Sequence, residues 1–245
     1  MLAILKAENI GMTYESGLII KKRHSIFQGI SLEIEEGHTL GLIGPSGAGK
    51  TTLGMILAGL ERPSSGCVLY RGEDIWKLKG INYLAYRRGV QMVFQDPEGS
   101  LNPRKSIERS IHEVLRYINI PQREWKDKAR QALEMVGLSE ELLCRYPGQI
   151  SGGQSQRAAL SRVLLLNPKV IILDEPTSAL DISVQAQILV LLKDLQKNLG
   201  LAYLLISHQP EVIDFMAHNK AVLESGGIRH EIILPQGGGA RPDPL

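Results

Sequence analysis

Cysteine is scarce in this chain: Cys67 and Cys144 are the only two among 245 residues. Neither belongs to a metal-ligand spacing, and the pair suggests no disulfide framework, so a reducing compartment is the simpler expectation. No apolar run approaches about 18 residues, so nothing in the sequence reads as a bilayer-spanning helix. If the protein works at a membrane, other subunits must provide the spans. Lys6 and Glu8 break the apolar residues between Met1 and Glu8, which excludes the pattern of a signal peptide. An excess of one charge is also lacking. With 28 Lys and Arg against 26 Asp and Glu the net charge is +2, too small to argue for nucleic acid or a membrane surface. There is no internal repeat. What remains is 43% hydrophobic and 22% charged, the composition of a soluble globular protein. A chain this long can bury a real core as one domain with a subdomain.

The most informative stretch is Gly44-Pro45-Ser46-Gly47-Ala48-Gly49-Lys50-Thr51-Thr52. It fits the G-x-x-x-x-G-K-[ST] pattern of a phosphate-binding loop. Leu40-Gly41-Leu42-Ile43 before it reads as a short buried strand, and Leu53, Ile56, Leu57 and Leu60 after it share one helix face. Glycines at 44, 47 and 49 let the backbone wrap a phosphate chain with its N–H groups inward, and the following helix adds its positive end. Lys50 would reach the outer phosphates and the Thr51 hydroxyl would ligate Mg²⁺. A GTPase is disfavoured because no Asn-Lys-x-Asp motif is present; Asn219-Lys220 runs on into Ala221-Val222.

Along the chain, residues 2–14 alternate loosely and read as an edge strand ending at Tyr14. The basic run Lys21-Lys22-Arg23-His24 reads as a solvated loop, and Phe27 to Glu35 as the next strand. Pro63 to Gly66 marks a turn, Cys67 to Tyr70 a short strand, residues 75–88 a helix, and Val90 to Phe94 an apolar strand. Helical patterns dominate from about Ser106 to Gly137, and the charged segment Arg123–Arg130 reads as a solvated helix face. Gly148 to Gly153 interrupts before a helix to about Leu166. Val170 to Leu173 and Leu201 to Ile206 are apolar strands flanking a helix with Val184, Ile188, Leu191, Leu192 and Leu195 on one stripe. Weaker signals continue to Ile233, and Pro235 to Leu245 reads as a loose tail. Strands alternating with helices imply an α/β fold with a mainly parallel sheet. The expected division is a core of about 1–95 and 161–234, a helical insertion of about 96–160, and a tail from 235 to 245.

Two further stretches carry chemistry. Val170 to Leu173 delivers Asp174 and Glu175 at the C-terminal end of a strand, the edge where parallel sheets bind ligands. Asp174 suits the outer shell of a Mg²⁺ held by Thr51, and Glu175 is placed to polarise a water attacking the γ-phosphate. Ile150-Ser151-Gly152-Gly153-Gln154-Ser155-Gln156-Arg157 is a second glycine-rich helix start. Ser151 serves there as N-cap, and the glycines leave backbone N–H groups open to an anion.

Together these motifs resemble the ATPase subunit of an ATP-binding-cassette (ABC) transporter, over essentially residues 3–226. Ser151–Gln154 is similar to the family's signature, and Gly44–Thr51 and Val170–Glu175 to its two Walker motifs. Gln95 stands at the Q-loop position, Ser178-Ala179-Leu180-Asp181 at the D-loop, and His208 at the switch histidine. Tyr14, roughly 30 residues before the phosphate loop, resembles the aromatic that stacks on adenine. The resemblance implies a P-loop NTPase (RecA-like) core with an antiparallel β edge and an inserted α-helical subdomain. It implies ATP with Mg²⁺, the latter touched by Thr51, Asp174 and Gln95. It also implies a head-to-tail dimer with a copy or paralogue, so that Ser151, Gly152, Gly153 and Gln154 of one subunit close over the ATP of the other. His208 would hold the γ-phosphate and the attacking water.

Within the family, Val90 to Arg104, Arg145 to Gln149 and Asp181 to Gln187 are similar to oligopeptide, dipeptide and nickel importers, of the second-cassette type. That implies two permease subunits, a solute-binding protein, no nucleic acid, and a peripheral place on the cytoplasmic face of a prokaryotic inner membrane. An exporter ATPase, or a soluble cassette acting on nucleic acid or ribosomes, is the alternative. The latter would need a coiled-coil insertion, two cassettes in one chain or a basic surface. Three departures stand out. Gln209-Pro210 follows the histidine where the family often has Asp, which bears on how that loop moves. Ser155 replaces a bulkier polar residue. A C-terminal His-Pro-Tyr segment common in peptide-type cassettes is absent from the sequence, which favours a nickel or metallophore importer.

Overall fold

The structure is a computed structural model that describes residues 3–16, 22–224 and 227–232. Its strands, in chain order with the first helices, are β1 (Ala3–Ser16), β2 (Lys22–Glu35), β3 (Thr39–Ile43), then α1 (Lys50–Leu57), β4 (Ser65–Tyr70) and β5 (Glu73–Asp74). Next come α2 (Gly80–Gly89), β6 (Val90–Val93), α3 (Pro97–Ser100), α4 (Ile107–Tyr117), α5 (Trp125–Glu134) and α6 (Gly152–Leu164). The chain then forms β7 (Val170–Asp174), α7 (Ile182–Leu199), β8 (Ala202–Ile206), α8 (Pro210–Met216), β9 (Asn219–Glu224) and β10 (Gly227–Ile232).

Two sheets result. The four-stranded sheet runs β2-β1-β4-β5 with antiparallel pairings, and the six-stranded one runs β10-β9-β3-β8-β7-β6, parallel except for β10 against β9. The period of two along β7 and β8 sends Val170, Ile172, Ala202, Leu204 and Ile206 into a core shared with α1 and the antiparallel sheet. Ile171, Leu173, Tyr203 and Leu205 face the other way, against α6, α7 and α8. Both faces are covered, which is why these strands are unbroken apolar runs. A third core, with Ile107, Ile111, Leu115, Ala129, Leu133 and Ala158, holds α4, α5 and the start of α6 together. α6 spans two cores, because its later residues Leu160 and Leu164 pack beneath the parallel sheet. Among the described residues no helix is long and apolar enough to cross a membrane.

Four sequence expectations need correction. β1 is an interior strand, because β4 pairs along the side that an edge strand would leave open. Lys22, Arg23 and His24 form strand, not loop: they pair with Ser16, Glu15 and Tyr14, and Arg23 Nε donates to Glu15 Oε1 at 2.9 Å. Arg23 and His24 are exposed, so polar residues suit this strand. The apolar stripe after the phosphate loop ends at Leu57. Gly59, at φ +64°, terminates the helix, and Leu60 lies beyond it, 48% exposed. The helix expected over 75–88 starts at Gly80. Met1, Leu2, Lys21, Ile233 and the tail from Pro235 to Leu245 lie outside the described residues.

Candidate functional site

The C-terminal ends of β3, β7 and β8 adjoin in the parallel sheet, and each hands over to a loop on the same edge. The loop after β3 is Gly44–Gly49. A Cβ on Gly44 would lie on the Leu223 carbonyl oxygen, so only glycine lets the loop pass β9. Gly49, at φ +94°, is the N-cap of α1, and a Cβ there would meet Ile26 Cγ2 at 2.5 Å and the Phe27 ring at 2.9 Å. α1 has no side-chain cap and no acidic residue in its first turn, so its positive end is left uncompensated. Lys50 is 8% exposed and folds back across the loop, its Nζ donating to the carbonyls of Gly44 (2.9 Å) and Pro45 (3.0 Å). A buried ammonium held only by carbonyl oxygens at a helix N-terminus is a ready anion site.

The loop after β7 brings the carboxylates. Asp174 is 4% exposed, and burial pushes its carboxyl above the ordinary range. A hydrogen bond with the Thr51 side chain opposes that shift, neighbouring Glu175 adds to it, and Lys50 again opposes. A hydroxyl and a destabilised carboxylate side by side are hard oxygen donors that a divalent cation would stabilise, and Mg²⁺ takes only one or two such protein ligands. Among the described residues no group of three or more His, Cys, Asp or Glu comes together as a metal cluster. Glu175 has φ +47° and donates its N–H to the Ile206 carbonyl at 2.9 Å. Its carboxylate lies between two partners. His208 Nδ1, from the loop after β8, is 3.1 Å from Oε1, and Gln95 Nε2, from the end of β6, is 3.2 Å from Oε2. Gln95 also donates to Ser178 Oγ, and that hydroxyl donates to the Glu175 carbonyl.

Ser46, Gly47, Gly49, Lys50, Thr51, Thr52, Gln95, Glu175 and His208 thus line one open cleft of about 620 Å³, with Ile26 on its wall. Pro45 supplies carbonyl oxygen to the loop, and Ala48 packs down on the core. Tyr14 is 40% exposed beside this cleft, in hydrogen-bond contact with Thr52, and its hydroxyl donates to Glu61 Oε1 at 2.6 Å. The Glu61 carboxylate holds the phenol pKa above its usual value.

Ser151, Gly152, Gly153 and Gln154 are not among the residues of this cleft. They form the start of α6 as a capping box: Gln154 N donates to Ser151 Oγ (3.3 Å) and Ser151 N to Gln154 Oε1 (2.9 Å). The glycines have a packing reason beside their open N–H groups. A Cβ on Gly153 would lie 2.5 Å from Val184 Cγ1, and one on Gly152 3.3 Å from Leu180 Cδ2. Asp181 is the exposed N-cap of α7, yet its carboxylate makes no capping bond. No sequence motif points to Ile26, which precedes the strand expected from Phe27, or to the bracing role of the Ser178 hydroxyl. A small hydroxyl three residues past a strand-end carboxylate was the available signal.

The chain is similar to known proteins in both sequence and structure. The ABC transporter family profile matches residues 27–178. The oligopeptide transport ATP-binding protein OppF of Lactococcus lactis is 47% identical over 201 residues, 82% of this chain; the chain spans 63% of that protein's length. The nickel import ATP-binding protein NikE of Brucella suis is 40% identical over 234 residues, 94% of this chain and 88% of that one. Among solved structures, the ATP-binding cassette MJ0796, dimeric and bound to ADP and Pi in a post-hydrolysis state, superposes with a TM-score of 0.81 at 29% identity. That match covers 94% of this chain and 99% of the other.

Proposed function

Because this chain belongs to the ABC transporter family, we propose that it binds and hydrolyses ATP to drive solute import through a membrane permease. One observation carries the reading. Glu175 sits at the rim of a glycine-rich anion loop, with its carboxylate held by His208 and Gln95 from two neighbouring strands.

In this reading the triphosphate lies in the Gly44–Thr52 loop, where Lys50 leaves its two carbonyl partners for the outer phosphates. Thr51, Asp174 and Gln95 would hold Mg²⁺, which supplies charge neutralisation of the phosphate oxygens. Glu175 takes the proton of the attacking water. His208 exchanges its contact with Glu175 for the γ-phosphate, which frees Oε1 for that task. Tyr14 offers its ring to adenine. The capped start of α6 stands outside this cleft, so Ser151–Gln154 complete the site of a second cassette, identical or paralogous. Asp181, with its carboxylate unspent on capping, faces the same partner. The groove of about 390 Å³ lined by Val93, Phe94, Val114, Ala159, Arg162 and Val163 lies beside Gln95 and suits an apolar segment of a permease subunit. Two permeases and a solute-binding protein would complete an importer, with this subunit peripheral on the cytoplasmic face of a prokaryotic inner membrane. The named relatives point to oligopeptide or nickel as the class of cargo.

Glu175→Gln tests this directly. Removal of a general base lowers turnover by about 10²–10⁴-fold, while ATP affinity stays and an ATP-bound dimer accumulates on size-exclusion chromatography. Phosphate release at the wild-type rate would refute the assignment.

A further inference from the structure

Glu175 and His208 come from different loops, 33 residues apart in sequence, and their contact needs those loops held at a fixed spacing. A side chain that neither touches the cleft nor reaches the nucleotide does this. Gln185, in the first turns of α7, places its Nε2 3.0 Å from Thr177 Oγ1 and 2.6 Å from Gln209 Oε1. Thr177 is two residues beyond Glu175, and Gln209 directly follows His208. One amide group therefore ties the loop after β7 to the loop after β8. We infer that Gln185 is a positioning residue, a clip that keeps the Glu175 carboxylate and the His208 imidazole in register for the hydrolytic step.

The surroundings fit a clip. Thr177 is 4% exposed, so its hydroxyl is a fixed post. Gln209 is braced at its own backbone, where its N–H donates to Ser207 Oγ at 3.0 Å, so the side chain reaches Gln185 from an anchored turn. Among the described residues the His208 ring, 56% exposed, is held by its contact with Glu175. Turning both amides over preserves the two contacts, because a threonine hydroxyl donates as well as it accepts. Gln209 is also where this chain departs from the acidic residue that usually follows such a histidine. The clip gives that glutamine a role no short carboxylate could fill in the same way.

The inference rests on the ATP-hydrolysis reading, and the experiment separates the two. Steady-state ATP hydrolysis and nucleotide titration are measured on the full chain with its partner cassette. Gln185→Leu and Thr177→Val each remove the bridge without changing charge or much volume. Turnover is expected to fall about tenfold, the effect of losing one or two positioning hydrogen bonds. KM and nucleotide affinity should stay within about twofold, since the phosphate loop is untouched. Thr177→Ser and Gln209→Glu keep an acceptor for Gln185 and should retain near wild-type turnover, which a general loss of packing would not allow. An unchanged kcat in both bridge-breaking variants overturns the clip, as does a kcat loss in Thr177→Ser and Gln209→Glu equal to theirs, or a KM that rises in step with the loss. Absence of turnover in the wild-type chain overturns the functional reading itself.

Discussion

Gly153 invites a quantitative test, because two physical effects act on it in opposite directions. It is buried in the first turn of α6, and an added Cβ would lie 2.5 Å from Val184 Cγ1. Carbon atoms rest at about 3.5–4.0 Å, so the overlap is about 1 Å. Both methyls of valine branch directly from its Cβ, so one cannot swing away without moving the other, and the side chain yields little. The start of α6 must therefore part from the start of α7. Overpacking of this kind costs about 1–3 kcal/mol, against at most about 1 kcal/mol gained from alanine's better helix propensity. Gly153→Ala should thus destabilise the chain by about 1–2 kcal/mol. Urea denaturation of the nucleotide-free chain measures it.

The control is a double-mutant cycle. In Gly153→Ala/Val184→Ala the new methyl takes up space vacated by the valine, so the pair should be more stable than the sum of the single changes by about 1 kcal/mol. Gly152→Ala is the second control. Its methyl would meet only the tip of Leu180 at 3.3 Å, so stability should hold within about 0.5 kcal/mol. Any loss of ATP turnover in Gly152→Ala would then report on backbone access alone. Wild-type stability in Gly153→Ala, or strict additivity in the cycle, would refute the packing argument and leave the open N–H groups as that glycine's whole purpose.

His218 should make stability fall on the acid side of neutrality. Burial, then the nearby His38 and Lys193, hold its pKa below the usual 6.5, and its Nδ1 accepts a hydrogen bond from the Thr39 N–H at 3.0 Å. The unfolded chain therefore binds a proton first as pH drops below 6.5, and stability declines until the folded-state pKa is passed. Denaturation midpoints between pH 8 and pH 5 should show this limb, and His218→Gln should flatten it; an identical slope in the variant refutes the assignment. Tyr14→Ala should weaken ATP binding by about 1–3 kcal/mol if the ring stacks on the base, whereas Tyr14→Phe, which keeps the ring and loses only the hydroxyl's contacts with Glu61 and Thr52, should bind nearly as wild type. Calorimetric titration with equal affinities for all three proteins would reject stacking.

Legibility in the sequence followed how local each feature was. β7 and β8 were plain because a strand covered on both faces must be apolar throughout, and the phosphate loop because its glycines act within one turn. β1 was misplaced as an edge strand, since nothing in its own residues announces that β4 pairs with it across about 60 positions. Lys22-Arg23-His24 read as loop because a solvated ribbon carries no hydrophobic alternation. In the site, motif order brought Gln95, Glu175 and His208 together in the argument, but the contacts join residues up to 80 apart and only the fold displays them. Gln185 lies inside the importer-like stretch Asp181 to Gln187, but nothing in that stretch gives it a contact: a glutamine in a helix is ordinary until its two partners are seen.

Glu175 shows most clearly where local rules give way. It precedes Pro176, and a residue before proline is expected in the extended region. Instead its φ is +47°, a conformation that costs a non-glycine residue about 1–3 kcal/mol. Such a cost persists only where the surroundings over-determine it. Here they do: the Glu175 N–H is held by the Ile206 carbonyl, its carbonyl by Ser178, and its carboxylate by His208 and Gln95. All of those partners lie on neighbouring strand ends or the following turn, and the Gln185 bridge ties the same two loops one step further out. The strain lies at the residue whose carboxylate the hydrolytic reading requires to point back over the phosphate loop. A relaxed extended backbone would carry the chain onward from β7. Removing any one tether should therefore loosen the direction of this carboxylate before it loosens the fold, which is why activity should respond to these residues more steeply than stability.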